Sequence, residues 1–415
     1  MKKIIVSTLC LFICAAVFAA GNIYVSGNSG RVNAVEMFGL RGDGVTDNTS
    51  AISNAFNSGL AIYLPPARVS YRMNGRVIVT NVADVKADGP RSRISSFAGS
   101  NVFALTFTRG NSRLTDLVLD CNSANLVGGS RWASLPASGG GISFNAQGLS
   151  RMDRCEIYNA SGMALYVAGD GNIFQRSNSC VLSDITVSNS YHSIWLAQSN
   201  LSEFVELNNP NVRRGEGYGI YIGGANVTVN GGQINGYVDT APGGGDGVAT
   251  GIGIFVEPSQ VSAFPFRSHL RIMGVKVAHW WTGHLITGAG PVDIIGGISG
   301  GVGYNIYSNA TQIKLVGFTS EVWAEHKLGN VNLMTAVGCS FLNGSMVAWW
   351  PWSYVGEANN YNGAPLPTGG NSDIYLKENI SFLNAKLGTP GNVVTPVNYL
   401  AITNNGSRYF MPLFQ

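Results

Sequence analysis

The stretch Phe38-Gly39-Leu40-Arg41-Gly42-Asp43-Gly44-Val45-Thr46-Asp47-Asn48-Thr49-Ser50-Ala51-Ile52, followed by Ala61-Ile62-Tyr63-Leu64-Pro65-Pro66, decides how the rest of the chain is read. It begins as a glycine-rich turn. An Asx or Thr cap follows, and then a short helix from about Ser50. Ala61–Leu64 reads as an apolar strand stopped by two prolines.

Beyond this segment a loose unit recurs. Cys155-Glu156-Ile157-Tyr158-Asn159, Ile185-Thr186-Val187-Ser188-Asn189, Cys339-Ser340-Phe341-Leu342-Asn343 and Ile380-Ser381-Phe382-Leu383-Asn384 each set two apolar residues around a polar one and end in Asn. Short second strands follow, as in Ala164-Leu165-Tyr166-Val167, Ser193-Ile194-Trp195-Leu196, Gly219-Ile220-Tyr221-Ile222 and Gly253-Ile254-Phe255-Val256. One marker residue per unit gives Leu119, Ile157, Val187, Val212, Ile234, Val277, Ile298, Phe318, Phe341 and Phe382, with several gaps of 20 to 25 residues. That is the length of one solenoid coil of three short strands. Asparagine at a fixed corner suits left-handed turns and a side-chain ladder. An all-β sandwich is the alternative, and it predicts hairpins between antiparallel strands.

The segment from about residue 35 to 72 resembles the N-terminal segment of the pectate-lyase-like superfamily, which includes phage tailspikes and secreted polysaccharide-cleaving enzymes. The resemblance implies an all-β chain folded as a right-handed parallel β-helix, with a short N-terminal capping helix and an irregular C-terminal cap. The expected division is residues 1–20 as signal peptide, 21–72 as N-terminal cap segment, 73–350 as β-helix, and 351–415 as terminal coils and cap. Many tailspikes act as trimers, so the resemblance makes a homotrimer one expected assembly. It does not specify a reaction.

Met1-Lys2-Lys3, an apolar run to Ala16 and small residues near Ala19-Ala20 describe a secretory leader, so a secreted or periplasmic location is expected, with no membrane attachment after cleavage. Only 12% of residues are charged and 45% are hydrophobic, which fits a packed protein. The formal charge of +3 falls further without the two leader lysines, so nucleic acid is not an expected partner. Cys121, Cys155, Cys180 and Cys339 show no zinc spacing. They read as buried thiols, with Cys155 and Cys339 on one inward column several coils apart. No metal or cofactor is expected.

Longer spacings set Asn122–Gly140 and Gly236–Gly251 apart as loops leaving the same corner, with Pro210–Tyr218 as a shorter excursion. Loops carry function on a rigid scaffold. This edge carries Arg131 and Trp132, Tyr191 and His192, Arg213, Arg214, Glu216 and Tyr218, Asp239 and Asp246, and His279, Trp280 and Trp281. Aromatic faces, arginines and carboxylates in one groove suit a polysaccharide. Glycoside hydrolysis needs two carboxylates about 5–10 Å apart. Adjacent coils, roughly 4.8 Å apart, bring Glu216 within reach of Asp239 or Asp246. These three are the catalytic candidates. Arg131, Trp132, Arg213, Arg214, His279 and Trp280 are the substrate-binding candidates. Polygalacturonases are matched only in part, by Gly283-His284-Leu285 and Gln312-Ile313-Lys314, so their active site does not carry over. Three readings stay open: hydrolase, non-catalytic glycan-recognition protein, and lyase.

Overall fold

The computed structural model describes residues 30–97, 102–122, 140–168, 179–196, 204–223, 226–236, 251–257, 270–287, 291–308, 312–320, 325–328, 333–341, 353–357, 359, 373–377, 398–404 and 407–413. The leader, Phe382 and the loops 123–139 and 237–250 lie outside them. Among the described residues the chain forms a 14-stranded sheet, a 19-stranded sheet and one two-stranded antiparallel pair, Asn398–Asn404 with Ser407–Leu413. Every pairing in the two large sheets is parallel, for example Ile157 opposite Val187 and Leu182 opposite Leu207. A typical coil contributes one strand to the first sheet and two to the second, such as Ser179–Ser183, Thr186–Ser190 and His192–Leu196. The chain is therefore a parallel β-helix, right-handed as parallel crossovers are.

The opening segment is held by its own side chains. Asp43 accepts from the backbone N–H of Val45 and Thr46 and from the Thr46 hydroxyl, which draws its carboxyl down to about 2. Asn48 is 1% exposed and exchanges hydrogen bonds with Arg41, Thr46 and Arg72. Helix Thr49–Asn57 then lays Ile52, Ala55 and Phe56 over the end of the core, where Phe56 stacks on Phe107 and Phe107 meets Phe144 edge-on.

One corner repeats through the coils. Gly89, Asp116, Arg154, Asp184, Asn209, Gly231, Gly274, Gly296, Gly317 and Gly338 all have φ between +50° and +65°. From Asp116 to Gly317, each N–H donates to the carbonyl just before the equivalent corner of the next coil, at 2.6–2.9 Å. The ladder thus continues round the bend, and buried backbone stays paired. The earlier corners add side-chain bonds, Arg154 to Asp116 and Asn209 to Asp184, each at 2.7 Å.

The main inward column runs Tyr71, Ile94, Leu119, Ile157, Val187, Val212, Ile234 and Val277. It continues through Ser299, Ser320 and Phe341. Two expected markers are therefore corrected. Ile298 pairs with Lys276 and Thr319, one residue off the column, and is only half-buried. Phe318 is buried but stands two residues ahead of Ser320, on the row of Val275 and Cys339. Ser299 and Ser320 are buried on the column here.

Cys121, Cys155, Cys180 and Cys339 are free and buried, and burial pushes the Cys155 and Cys180 thiols up to about 12. Pro210–Tyr218 is not an excursion. Asn211–Gly215 and Tyr218–Ile222 are strands, and only Glu216 and Gly217 lie between them.

Ile157→Asp or Val187→Asp places a charge at a position with no exposure. Each is expected to cost more than about 4 kcal/mol and to abolish soluble folded protein, read by expression yield and circular dichroism. A folded variant with native melting would show that the column is not the core. Thermal melts with and without reductant should coincide. A reductant-dependent loss of several kcal/mol would reveal a bridge between chains or in the undescribed residues.

Candidate functional site

The second sheet bends at a second corner, between the two strands that each coil gives it. Asn159, Asn189, Arg214 and His279 stand there with φ between +50° and +64°. Val118–Asp120 and Gln233–Gly236, the strands that precede residues 123–139 and 237–250 in the chain, both end at this corner. Three intervening coils make the floor between them, at Asn159, Asn189 and Arg214.

On one side of the corner lies an open depression of about 390 Å³. Asp120, Tyr158, Ser188 and Arg213 follow one another in register across it. Beside them the amide of Asn189 donates to Asn159 at 2.8 Å, and that of Asn159 donates to Asp120 at 2.9 Å. The expected asparagine ladder is present at Asn159 and Asn189, while Asn343 and Asn384 lie outside the described residues. Arg93 approaches Asp120 to 3.8 Å, and Arg213 donates to Asn211. Glu156 is half-buried nearby. Burial raises its carboxyl pKa, with the Arg213 charge opposing that rise.

On the other side, outward rings follow one another coil by coil: Tyr166, Trp195, Tyr221 and Phe255. Trp195 and Tyr221 stack at 3.7 Å, each spending one face on the other. Tyr221 donates its hydroxyl to Glu257, and burial with that carboxylate pushes the phenol pKa up. His192 packs between Tyr218 at 4.7 Å, Tyr191 at 4.5 Å and Trp195 at 5.2 Å. Its Nδ1 accepts the Tyr218 backbone N–H at 3.2 Å, so the neutral ring carries its proton on Nε2. Burial lowers its pKa to about 4. Gly217 gives the imidazole room, since a Cβ there would stand 2.7 Å from the ring.

Glu216 sits half-buried between the two sides, its N–H donating to Ser190. Gly236 stands opposite Gly215. A Cβ at Gly251 would lie 2.0 Å from the Glu216 carbonyl. Both ends of the segment carrying Asp239 and Asp246 are thereby fixed beside Glu216. Asp239, Asp246, Arg131 and Trp132 themselves lie outside the described residues.

Arg213 and Arg214 are exposed on the depression. His279 is exposed two coils further on. Trp280, expected as a sugar contact, is corrected to a core residue: it has no exposure, and its indole donates to the Ile234 carbonyl at 3.0 Å. A Cβ at Gly215, Gly219, Gly236 or Gly253 would fall within 2.7–3.0 Å of that indole. Trp281 takes the outward position, 44% exposed. His284, in the partial polygalacturonase match, is buried at 1% exposure and packs edge-on to Phe318. Among the described residues no cluster of His, Cys, Asp or Glu could hold a metal ion. The aromatic column was not anticipated. Its signal was the aromatic third residue of each second-strand repeat.

No protein-family model matches the chain, and no curated protein sequence matches it. Solved structures do. Tailspike protein 2 of the Escherichia coli O157:H7 bacteriophage CAB120 superimposes with a TM-score of 0.53 at 15% identity, over 88% of this chain and 48% of that one. The A-module of the Azotobacter vinelandii mannuronan C-5 epimerase AlgE6 gives 0.51 at 15% identity, over 81% of this chain and 100% of that one. This chain thus spans about half the length of the tailspike and all of the epimerase module. At such identities the likeness is one of fold, the parallel β-helix.

A neutral, half-buried His192 gives a pH signature. The unfolded imidazole titrates near 6.5 and the folded one near 4, so the unfolded chain takes up the proton first. This contribution is complete above about pH 6.5. It is lost as pH falls toward 4, reaching about 3 kcal/mol. His192→Asn keeps an acceptor for the Tyr218 N–H, and its melting temperature should fall less than the wild type's between pH 7 and 5. Parallel curves would contradict the neutral, half-buried histidine.

Proposed function

We propose that the chain binds an extended polysaccharide across the loop-bearing corner and cleaves it by hydrolysis. The observation that carries this reading is the position of Glu216 beside Gly236 and Gly251, the residues that bracket Asp239 and Asp246 in the chain, between the aromatic column and the arginine-bearing depression. Glu216 and one of Asp239 or Asp246 form the carboxylate pair. One carboxyl, kept protonated, gives its proton to the glycosidic oxygen. The other activates water or attacks the anomeric carbon, according to their separation. Trp132 and the outward rings hold the apolar sugar faces, while Arg131, Arg213, Arg214 and His279 bind polar groups.

A second reading is non-catalytic glycan recognition. The mutual packing of Trp195 with Tyr221 and of His192 with Tyr218 favours it, because a pre-ordered surface binds without chemistry. Secretion through the leader and homotrimer assembly belong to the proposal too. No helix of the described residues is long and apolar enough to cross a membrane.

Reducing-end release on a panel of glycans separates enzyme from binder, and ultraviolet absorbance of unsaturated products separates elimination from hydrolysis. Glu216→Gln should lower turnover at least about a hundredfold while glycan binding persists. Full activity in Glu216→Gln, Asp239→Asn and Asp246→Asn alike would move the catalytic centre elsewhere. Binding without cleavage by the wild type would leave the recognition reading.

A further inference from the structure

Arg214 holds the corner position that Asn189 and Asn159 hold one and two coils earlier, at φ +56°. Asparagine tolerates that conformation, whereas a long side chain adopts it at a cost met elsewhere in the structure. The ladder of amides thus ends in a guanidinium. Arg213, the preceding residue, is exposed and follows Ser188 across the depression. Arg93 enters the same space from the earlier coils. The carboxylate lining it, Asp120, already accepts from the Asn159 amide and the Asn122 N–H and faces Arg93 at 3.8 Å. Among the described residues no carboxylate lies within ion-pair distance of Arg213 or Arg214. Glu156, half-buried, is the other carboxylate whose charge reaches Arg213, and it stands outside the lining of the depression.

We propose that this depression is a subsite for a negatively charged sugar unit, so that the glycan held at the corner is acidic. The inference rests on the glycan-binding reading above and names its substrate class. Two consecutive guanidiniums present planar donor forks to a carboxylate or sulfate, and such forks bind these groups bidentately. The amides and hydroxyls around them suit the sugar's own hydroxyls. The cavity, about 390 Å³, falls within the range of small-ligand sites.

The test is calorimetric titration of the full chain with oligosaccharides of matched length from a polyuronate, a sulfated dextran and neutral dextran. The wild type is expected to bind one or both charged glycans, with affinity falling as salt rises, and to bind neutral dextran at least about tenfold more weakly. Preference between polyuronate and sulfated dextran identifies the anion. Arg214→Asn restores a residue suited to the left-handed corner, so it should fold with native melting while binding about tenfold more weakly. Arg213→Gln with Arg214→Asn should lose more. Arg113→Gln removes an exposed charge on the other sheet and should leave binding unchanged. Equal or better binding of neutral dextran, binding of none of the three, or an equal loss in Arg113→Gln overturns the subsite. Full affinity in the folded double variant, with cleavage still dependent on Glu216, overturns the subsite alone. Lost affinity in that variant with full activity in Glu216→Gln retains the subsite and overturns the catalytic assignment.

Discussion

A left-handed residue at one corner of every coil is the constraint on which the rest depends. Between Gly89 and Gly338 each coil turns through a φ near +60°, and the N–H at that bend reaches the next coil. A bend that left its amides unpaired would break the ladder at the most exposed point of each turn. With the bend fixed, strand register is fixed as well, and register decides which side chains go in. Ile157, Val187 and Val212 face the core because they stand at one distance from this corner. Tyr158, Ser188 and Arg213 face out because they stand one residue further on.

The second corner has the same backbone geometry but lacks the same regularity. Asn159 and Asn189 turn there with a shared hydrogen bond, and Arg214 turns without an amide. A corner free to vary is where a scaffold of uniform coils can hold chemistry. Glu216 lies at that point. On one side of it are packed rings and on the other a polar depression, so one extended ligand can meet both.

The solenoid was legible because its signals are local. Asp43, Asp47 and Asn48 announce the opening turn, and apolar alternation announces the strands. The inward column was readable as far as Val277. It slipped at Ile298 because the reading assumed that the apolar residue points inward, whereas the buried Ser299 does. The glycines at 274, 296, 317 and 338 carried the missing register, since each ends a strand at the regular corner. The site was less legible. Trp280 and Trp281 alternate, but alternation alone does not say which is inside. Four glycines distant in sequence decide that. Tyr166, Trp195, Tyr221 and Phe255 looked like strand residues until register set them in a row.

Trp280 has a further meaning. Its indole fills the volume that Gly215, Gly219, Gly236 and Gly253 leave beneath the corner, Gly215 next to Glu216 and Gly236 at the end of its strand. None of these glycines can acquire a side chain while the tryptophan remains, and the tryptophan cannot shrink without leaving a void beneath the groove. The five positions are therefore one unit of inheritance. A descendant that trades the indole for a smaller side chain is released at Gly215 at most, because a Cβ at Gly219, Gly236 or Gly253 would still meet the carbonyl of Gly253, His279 or Gly283 at 2.0–2.7 Å. One that keeps it must keep them, however far the exposed surface diverges.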